Sequence, residues 1–204
     1  MINNYPIVNI YEKNSLKSKL SSQILFGEKF KILSNKKGWL KVKTSYDKYI
    51  GFIEKRKFFK NRKSTHKILS LSASLYTKPS KYYLIKTKLP FCSKISVTDT
   101  NKNFYKFEKY WIKKNDVVPI SYKQKIFRNI NIFKNIPYKW GGKTYKGIDC
   151  SALVQLFFKF NNLYCPRDTK DQIKYFKKAK KIKKDAMVFW KGHVAICISK
   201  TKLI

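Results

Sequence analysis

Acid is scarce in this chain. Across 204 residues, 47 Lys and Arg stand against 11 Asp and Glu, a formal charge of +36. A field of that sign draws in anionic ligands and polyanions without selecting among them. Arginine is scarce too, occurring only at Arg56, Arg62, Arg128 and Arg167. Specific base and phosphate recognition leans on the Arg fork, so lysines spread along the whole chain argue for solvated surface positions and against a dedicated nucleic-acid reader. Together with abundant Ile, Asn, Tyr and Phe, that spread fits drift toward AT-rich codons. A basic nucleic-acid-binding protein is therefore the weakest functional class, and no specific nucleic acid is expected as a partner.

Long apolar runs are missing as well. Nothing approaches the ~20 uninterrupted apolar residues of a membrane span, so none is expected. The opening Met1-Ile2-Asn3-Asn4-Tyr5-Pro6 lacks a basic flank leading into an apolar core, so no export signal is visible; the expected location is the cytoplasm, with the cell envelope as the alternative. Cys92, Cys150, Cys165 and Cys197 form no CxxC pair and do not cluster with His66 or His193 at metal-ligand spacing. Neither a zinc site nor a disulfide framework is indicated, and no cofactor is expected. What the chain does have is apolar material, 43% of it hydrophobic and 16% aromatic, which argues against disorder and supplies one ordinary domain or two to three small ones.

From about Ser18 to Phe58, short apolar segments alternate with Gly punctuation: Ile24-Leu25-Phe26-Gly27-Glu28, Phe30-Lys31-Ile32-Leu33, Gly38-Trp39-Leu40-Lys41-Val42 and Tyr49-Ile50-Gly51-Phe52-Ile53. Alternation with turns at this spacing predicts a small β-barrel, and the order of the pieces resembles bacterial SH3-like domains. A second copy is expected from about Leu69 to Pro119, with Ala73-Ser74-Leu75-Tyr76 near its start and Phe104-Tyr105-Lys106-Phe107 and Tyr110-Trp111-Ile112 near its end. The polar stretch Lys55 to Lys67, which contains His66, is the expected linker.

After Pro119 the period changes. Ile126, Ile130 and Phe133 recur at helical spacing ahead of Pro137, predicting a helix there. Ala152, Leu153, Leu156, Phe157 and Phe160 form one broad face of a second helix that starts at or just after Asp149, which puts Cys150 in its first turn. Ala186 to Trp190 and His193 to Ile198 read as a β-hairpin. A Cys on a helix start with a His heading a strand is a papain-like layout. The thiolate is the reactive form of cysteine, and the unpaired N–H groups of a helix N-terminus, with a neighbouring imidazolium, stabilise that anion. The same N–H groups can hold the oxyanion formed when the thiolate attacks an amide, and the imidazole can protonate the leaving amine. Taken singly, each residue favours a blander role: a small core thiol and a turn histidine.

The combination shifts the balance. Pro137-Tyr138-x-Trp140-Gly141-Gly142, Gly147-x-Asp149-Cys150-Ser151-x-Leu153-Val154-Gln155, Pro166-Arg167-Asp168-Thr169-x-x-Gln172 and Val188-Phe189-Trp190-x-Gly192-His193-Val194-Ala195-Ile196 together resemble the NlpC-type cell-wall cysteine peptidases, including the branch with SH3-like domains ahead of the catalytic domain. The resemblance implies an α+β chain: one SH3-like β-barrel over residues 1–60, a second over 61–118, and a papain-like NlpC-type catalytic domain over 119–204. It implies a cysteine endopeptidase acting on peptidoglycan stem peptides, at the γ-D-Glu to diamino-acid bond of murein peptides with a free N-terminus. Cys150 matches the nucleophile and His193 the base. Asp149, Ser151 and Thr169 match residues that hold the substrate's α-amino group, and Tyr49 is the candidate from the first barrel for closing the substrate end. Asp149 has a competing role as helix N-cap. Tyr138, Trp140 and Trp190 are expected to pack around the site, and Arg167 to sit solvated or ion-paired at the surface.

One element of the pattern is not found. NlpC-type enzymes orient the imidazole with a polar residue on the following strand, and counting on from His193 passes Ile204. None of Ser199-Lys200-Thr201-Lys202-Leu203-Ile204 substitutes for it. The expectation is a truncated catalytic domain whose β edge exposes Val194, Ile196 and Ile198. A catalytically impaired peptidoglycan-binding remnant is the alternative function.

Overall fold

A computed structural model describes residues 1–199 and 201–204; Lys200, one of the residues following His193 that offer no orienting partner by sequence, lies outside them. The chain is mostly sheet with two helices and divides into two compact units, Met1–Tyr122 and Lys123–Ile204.

In the first unit, β1 (Ile7–Tyr11), β2 (Leu20–Leu25), β3 (Phe30–Lys36), β4 (Trp39–Thr44) and β5 (Ile50–Glu54) form an antiparallel sheet in the order β2-β1-β5-β4-β3. Period-2 alternation builds it: β4 buries Leu40, Val42 and Thr44 while Lys41 points outward, so one face carries the core of Val8, Ile10, Ile24, Phe30, Val42 and Ile53. A second five-stranded antiparallel sheet follows. Its strands are β7 (Ser72–Tyr76), β8 (Leu84–Pro90), β10 (Asp99–Thr100), β11 (Phe104–Phe107) and β12 (Tyr110–Lys113), while β6 (His66–Ile68), β9 (Lys94–Ile95) and β13 (Val117–Pro119) make a smaller sheet beside it. His66 is therefore the first residue of a paired strand and not part of a linker; it faces Ile95 and Pro119, and its ring lies 4.9 Å from that of Tyr105.

Phe26 joins the two halves of this unit. It leaves the first sheet to pack in the core with Ile68, Leu75, Leu89, Phe107 and Ile112, its ring 5.8 Å from Phe107. Gly27 makes this possible: at φ +79° a Cβ would stand 2.0 Å from the Lys94 carbonyl oxygen, and the Lys94 N–H bonds to the Phe26 carbonyl at 2.9 Å. The Gly in the Leu-Phe-Gly-Glu turn thus serves close approach of the second half.

The second unit holds a short hairpin, β14 (Lys143–Thr144) with β15 (Gly147–Ile148), then α1 (Cys150–Phe160), α2 (Thr169–Tyr175) and the hairpin β16 (Met187–Trp190) with β17 (His193–Ile196). The helix expected across Ile126 to Phe133 is a single 3₁₀ turn at Ile130–Phe133. The buried apolar residues there are Phe127, Ile130 and Phe133, and a spacing of three suits the 3₁₀ repeat better than the α one. Phe127 and Phe133 set their rings against Phe157 of α1 at 5.8 and 5.9 Å. The exposed β edge expected after β17 is also absent. Val194 and Ile196 are buried, because Leu203 and Ile204 lie back along β17: the Ile196 N–H reaches the Ile204 carbonyl at 2.8 Å, and the Ile204 N–H returns to the Ile196 carbonyl at 3.0 Å.

Candidate active site

Asp149 fixes where α1 begins. Its backbone is extended, and its Oδ1 accepts the Ala152 N–H at 2.8 Å, the geometry of an N-cap. Cys150 is consequently the first residue of the helix, and among the described residues its backbone N–H has no partner. The preceding turn is tight. A Cβ on Gly142 would lie 2.5 Å from the Gly147 carbonyl oxygen, and the Gly141 N–H donates to Asp149 Oδ2 at 2.9 Å. The Trp-Gly-Gly tract thus wraps its backbone around the cap.

Arg167 is not a surface residue. It is buried, and its guanidinium grips Asp149 with both nitrogens, Nη1 to Oδ1 at 3.0 Å and Nη2 to Oδ2 at 2.6 Å. Nη1 also donates to Ser151 Oγ at 3.0 Å, and Ser151 Oγ donates to Asp149 Oδ1 at 3.1 Å. Bidentate, charge-assisted bonds of this kind set position as well as energy. Gln172 completes the brace between α1 and α2, its Nε2 donating to the Ser151 and Pro166 carbonyls at 2.9 Å each. Both Asp149 oxygens and the Ser151 hydroxyl are thus engaged inside the protein.

Thr169 opens α2 with its Oγ1 3.9 Å from Cys150 Sγ. Asp168, one residue earlier, occupies the N-cap position of α2, yet its side chain makes no cap bond and no other hydrogen bond among the described residues. Partial burial pushes its carboxyl above the usual range, against the pull of Arg167 and Lys170. Sequence reasoning passed over Asp168. The signal was its place between a basic residue and a hydroxyl, which reads equally well as an ordinary cap.

His193 heads β17 directly across the hairpin from Trp190. Their rings are 4.7 Å apart, and the Tyr138 ring lies 6.5 Å from the imidazole. No hydrogen bond reaches the imidazole among the described residues. Cys150 and His193 line one cavity of about 170 Å³, together with Tyr138, Asp149, Leu153 and Ile204. Tyr138, Trp140 and Trp190, expected to be packed, instead leave about half or more of their surface open. Burial and the charges of Cys150 and Asp149 hold the Tyr138 phenol above its ordinary range. Cys150 is half-buried, whereas Cys92, Cys165 and Cys197 are sealed in the interior. Tyr49 belongs to the first unit, where it packs against the core of the first sheet.

Residues 135–204 match the NlpC/P60 family and residues 10–58 match the bacterial dipeptidyl-peptidase Sh3 domain. The chain is an SH3-like domain followed by an NlpC/P60 domain. It is similar to the gamma-D-glutamyl-L-lysine dipeptidyl-peptidases of Bacillus subtilis (strain 168), 25% identical over 174 residues, and of Bacillus cereus (strain ATCC 10987 / NRS 248), 23% identical over 187 residues. Each alignment takes in 76% of this chain, and the chain spans 58% and 54% of the lengths of those two relatives. Its fold is that of an NlpC/P60 family protein from Bacillus cereus ATCC 10987, with a TM-score of 0.85, 17% identity, and coverage of 100% of this chain and 89% of that one.

Proposed function

We propose that the protein is a cysteine peptidase that hydrolyses the γ-D-Glu to diamino-acid bond of murein peptides carrying a free N-terminus. The observation that carries this reading is the shared cavity of Cys150, at the start of α1, and His193, at the start of β17. The Cys150 thiolate attacks the amide carbon, and the unpaired Cys150 N–H donates to the oxygen that becomes negative. His193 gives its proton to the leaving amine as the C–N bond breaks; it then takes a proton from the water that hydrolyses the thioester. The names of the Bacillus relatives support the choice of bond, and four cysteines outside any disulfide favour a reducing, cytoplasmic setting.

The substrate's ammonium needs an anion with free lone pairs. Asp149 has little left to offer after Arg167, Ser151, Gly141 and Ala152. Asp168, with no bond of its own and Thr169 next to Cys150, is the better partner, and Asp149 and Ser151 serve by holding Arg167 and the helix start in place. A second reading, a wall-binding remnant without turnover, is favoured by the imidazole's lack of a hydrogen bond among the described residues.

Incubation with L-Ala-γ-D-Glu-L-Lys, followed by mass spectrometry, separates the two. Release of lysine by the native chain and none by Cys150→Ala supports the peptidase; peptide retained without cleavage supports the remnant. Asp168→Asn should lower kcat/KM at least tenfold for the free-amine peptide and leave the residual turnover of its N-acetylated form unchanged. Equal losses on both would remove Asp168 from the ammonium site.

A further inference from the structure

The first unit carries a second, larger cavity that the chemistry above does not use. It is an open groove of about 610 Å³ whose floor is Met1, Ile2 and Phe30. Two chain segments far apart in sequence form its walls: Lys29 and Lys31 on one side, Lys60, Arg62 and Lys63 on the other. Ile2 ties the walls together, bridging to both Lys29 and Phe59, with the Ile2 N–H bonded to the Phe59 carbonyl at 2.8 Å and the Phe59 N–H returning at 3.1 Å. Lys29 and Lys31 therefore ride on hydrogen-bonded backbone, and Lys60 directly follows the Phe59 bridge.

Five of the ten lining residues are cationic, against 47 basic residues in 204 for the chain as a whole, whereas none of the ten around Cys150 and His193 is Lys or Arg. The charge is thus not uniformly spread. No acid lines the groove. The acids nearest in sequence or contact are committed elsewhere: Glu28 is buried, Asp47 bonds Thr44, and Glu108 pairs with Arg62. The side chains of Lys29, Lys31, Lys60 and Lys63 are exposed and have no bond or ion pair among the described residues. Four like charges held about one cleft repel each other, and an anionic chain lying in it relieves that repulsion.

We infer that this groove binds a phosphate-bearing polymer lacking bases. Two features select that class over nucleic acid. The guanidinium of Arg62, the one fork available, pairs with Glu108 and stacks over the Phe59 ring at 4.7 Å, so bidentate reading of a base edge is unavailable. The aromatic in the lining, Phe30, is 1% exposed, which leaves no platform on which a base could stack. Four lysine ammoniums acting as point charges suit closely spaced anionic groups such as phosphates along a flexible strand, without reading what lies between them.

The test is fluorescence anisotropy of labelled linear polyphosphate titrated with the full chain across a salt series. Two quadruple variants with identical net charge are compared with the native chain: the groove variant Lys29→Gln, Lys31→Gln, Lys60→Gln, Lys63→Gln, and a control in the second unit, Lys177→Gln, Lys178→Gln, Lys180→Gln, Lys181→Gln. All eight lysines are exposed, so both variants should fold, and circular dichroism melts verify it. The groove variant should bind at least tenfold more weakly near physiological salt and flatten the log K against log salt slope by about 3, four contacts at about 0.7 each. The control should change affinity less than twofold. Equal weakening in both variants, or no measurable binding by the native chain, overturns the proposal. A single-stranded DNA of equal charge that competes more tightly than polyphosphate for the same four lysines overturns the choice of polymer.

Discussion

Two ion pairs in this molecule show how differently its units use charge. In residues 123–204, Arg167 and Asp149 meet with 3% and 8% of their side-chain surfaces exposed. In residues 1–122, Arg56 and Glu54 meet at 2.9 Å with 39% and 43% exposed. The first pair was taken out of water at considerable cost and repays it only through near-complete hydrogen bonding. Its geometry locks the turn before Cys150, the helix start and the segment bearing Thr169. The second remains in solvent, where a pair contributes little. Costly burial thus surrounds the candidate chemistry, while inexpensive surface charge, lysine above all, shapes the first unit's groove. Net charge alone would have hidden this division.

Removing one partner from each pair gives the widest contrast. Arg167→Ala should destabilise the protein by about 3–5 kcal/mol, because a buried carboxylate is left without its counter-charge; Arg56→Ala should cost under about 0.5 kcal/mol. Urea unfolding of both variants measures the difference, and similar losses would erase the distinction. Next in size are two glycines of nearly equal φ. Gly27→Ala adds a Cβ 2.0 Å from a backbone oxygen and should cost about 2–3 kcal/mol, whereas Gly38→Ala, with nothing within 4 Å, should lose only the left-handed penalty of about 1 kcal/mol. Equal losses would mean that the Phe26 turn yields easily. The smallest effect concerns pH. The Asp168 carboxyl is raised in the folded state, so the native chain is most favoured below the ordinary Asp range and loses that contribution as pH rises through the raised value. Asp168→Asn should therefore have the higher melting temperature at neutral pH, with the advantage vanishing in acid, even as it loses the free-amine substrate. An unchanged melting temperature at both pH values would show that the carboxylate is not strained by its surroundings.

The same contrast explains what could be read from the sequence. Strands β2 to β5 of the first sheet and α1 were legible because period-2 and helical apolar spacing are written into consecutive residues, and Asp149 marks its helix start locally; β1, ahead of Ser18, was not among them. The β16 and β17 hairpin was legible from two β-rich runs separated by Lys191-Gly192. The partnership of Arg167 with Asp149 was not, since nothing near either residue names a partner across that separation. The 3₁₀ turn at Ile130–Phe133 was mistaken for a longer helix because Ile126 was counted in place of Phe127. Cover for β17 came from Leu203 and Ile204, two residues too few to show any period. Asp168 was overlooked because an Asp before a helix ordinarily caps it, and only the coordinates show the cap bond missing.

The account rests on one accessible thiol answering to one imidazole. Its most direct test is to treat the protein with a γ-D-glutamyl peptide bearing an electrophilic ketone and to locate the adduct by peptide mass spectrometry. The account predicts a single adduct on Cys150, formed at least tenfold more slowly in His193→Ala, with Cys92, Cys165 and Cys197 untouched. An unmodified Cys150, or labelling at the same rate without His193, would contradict it.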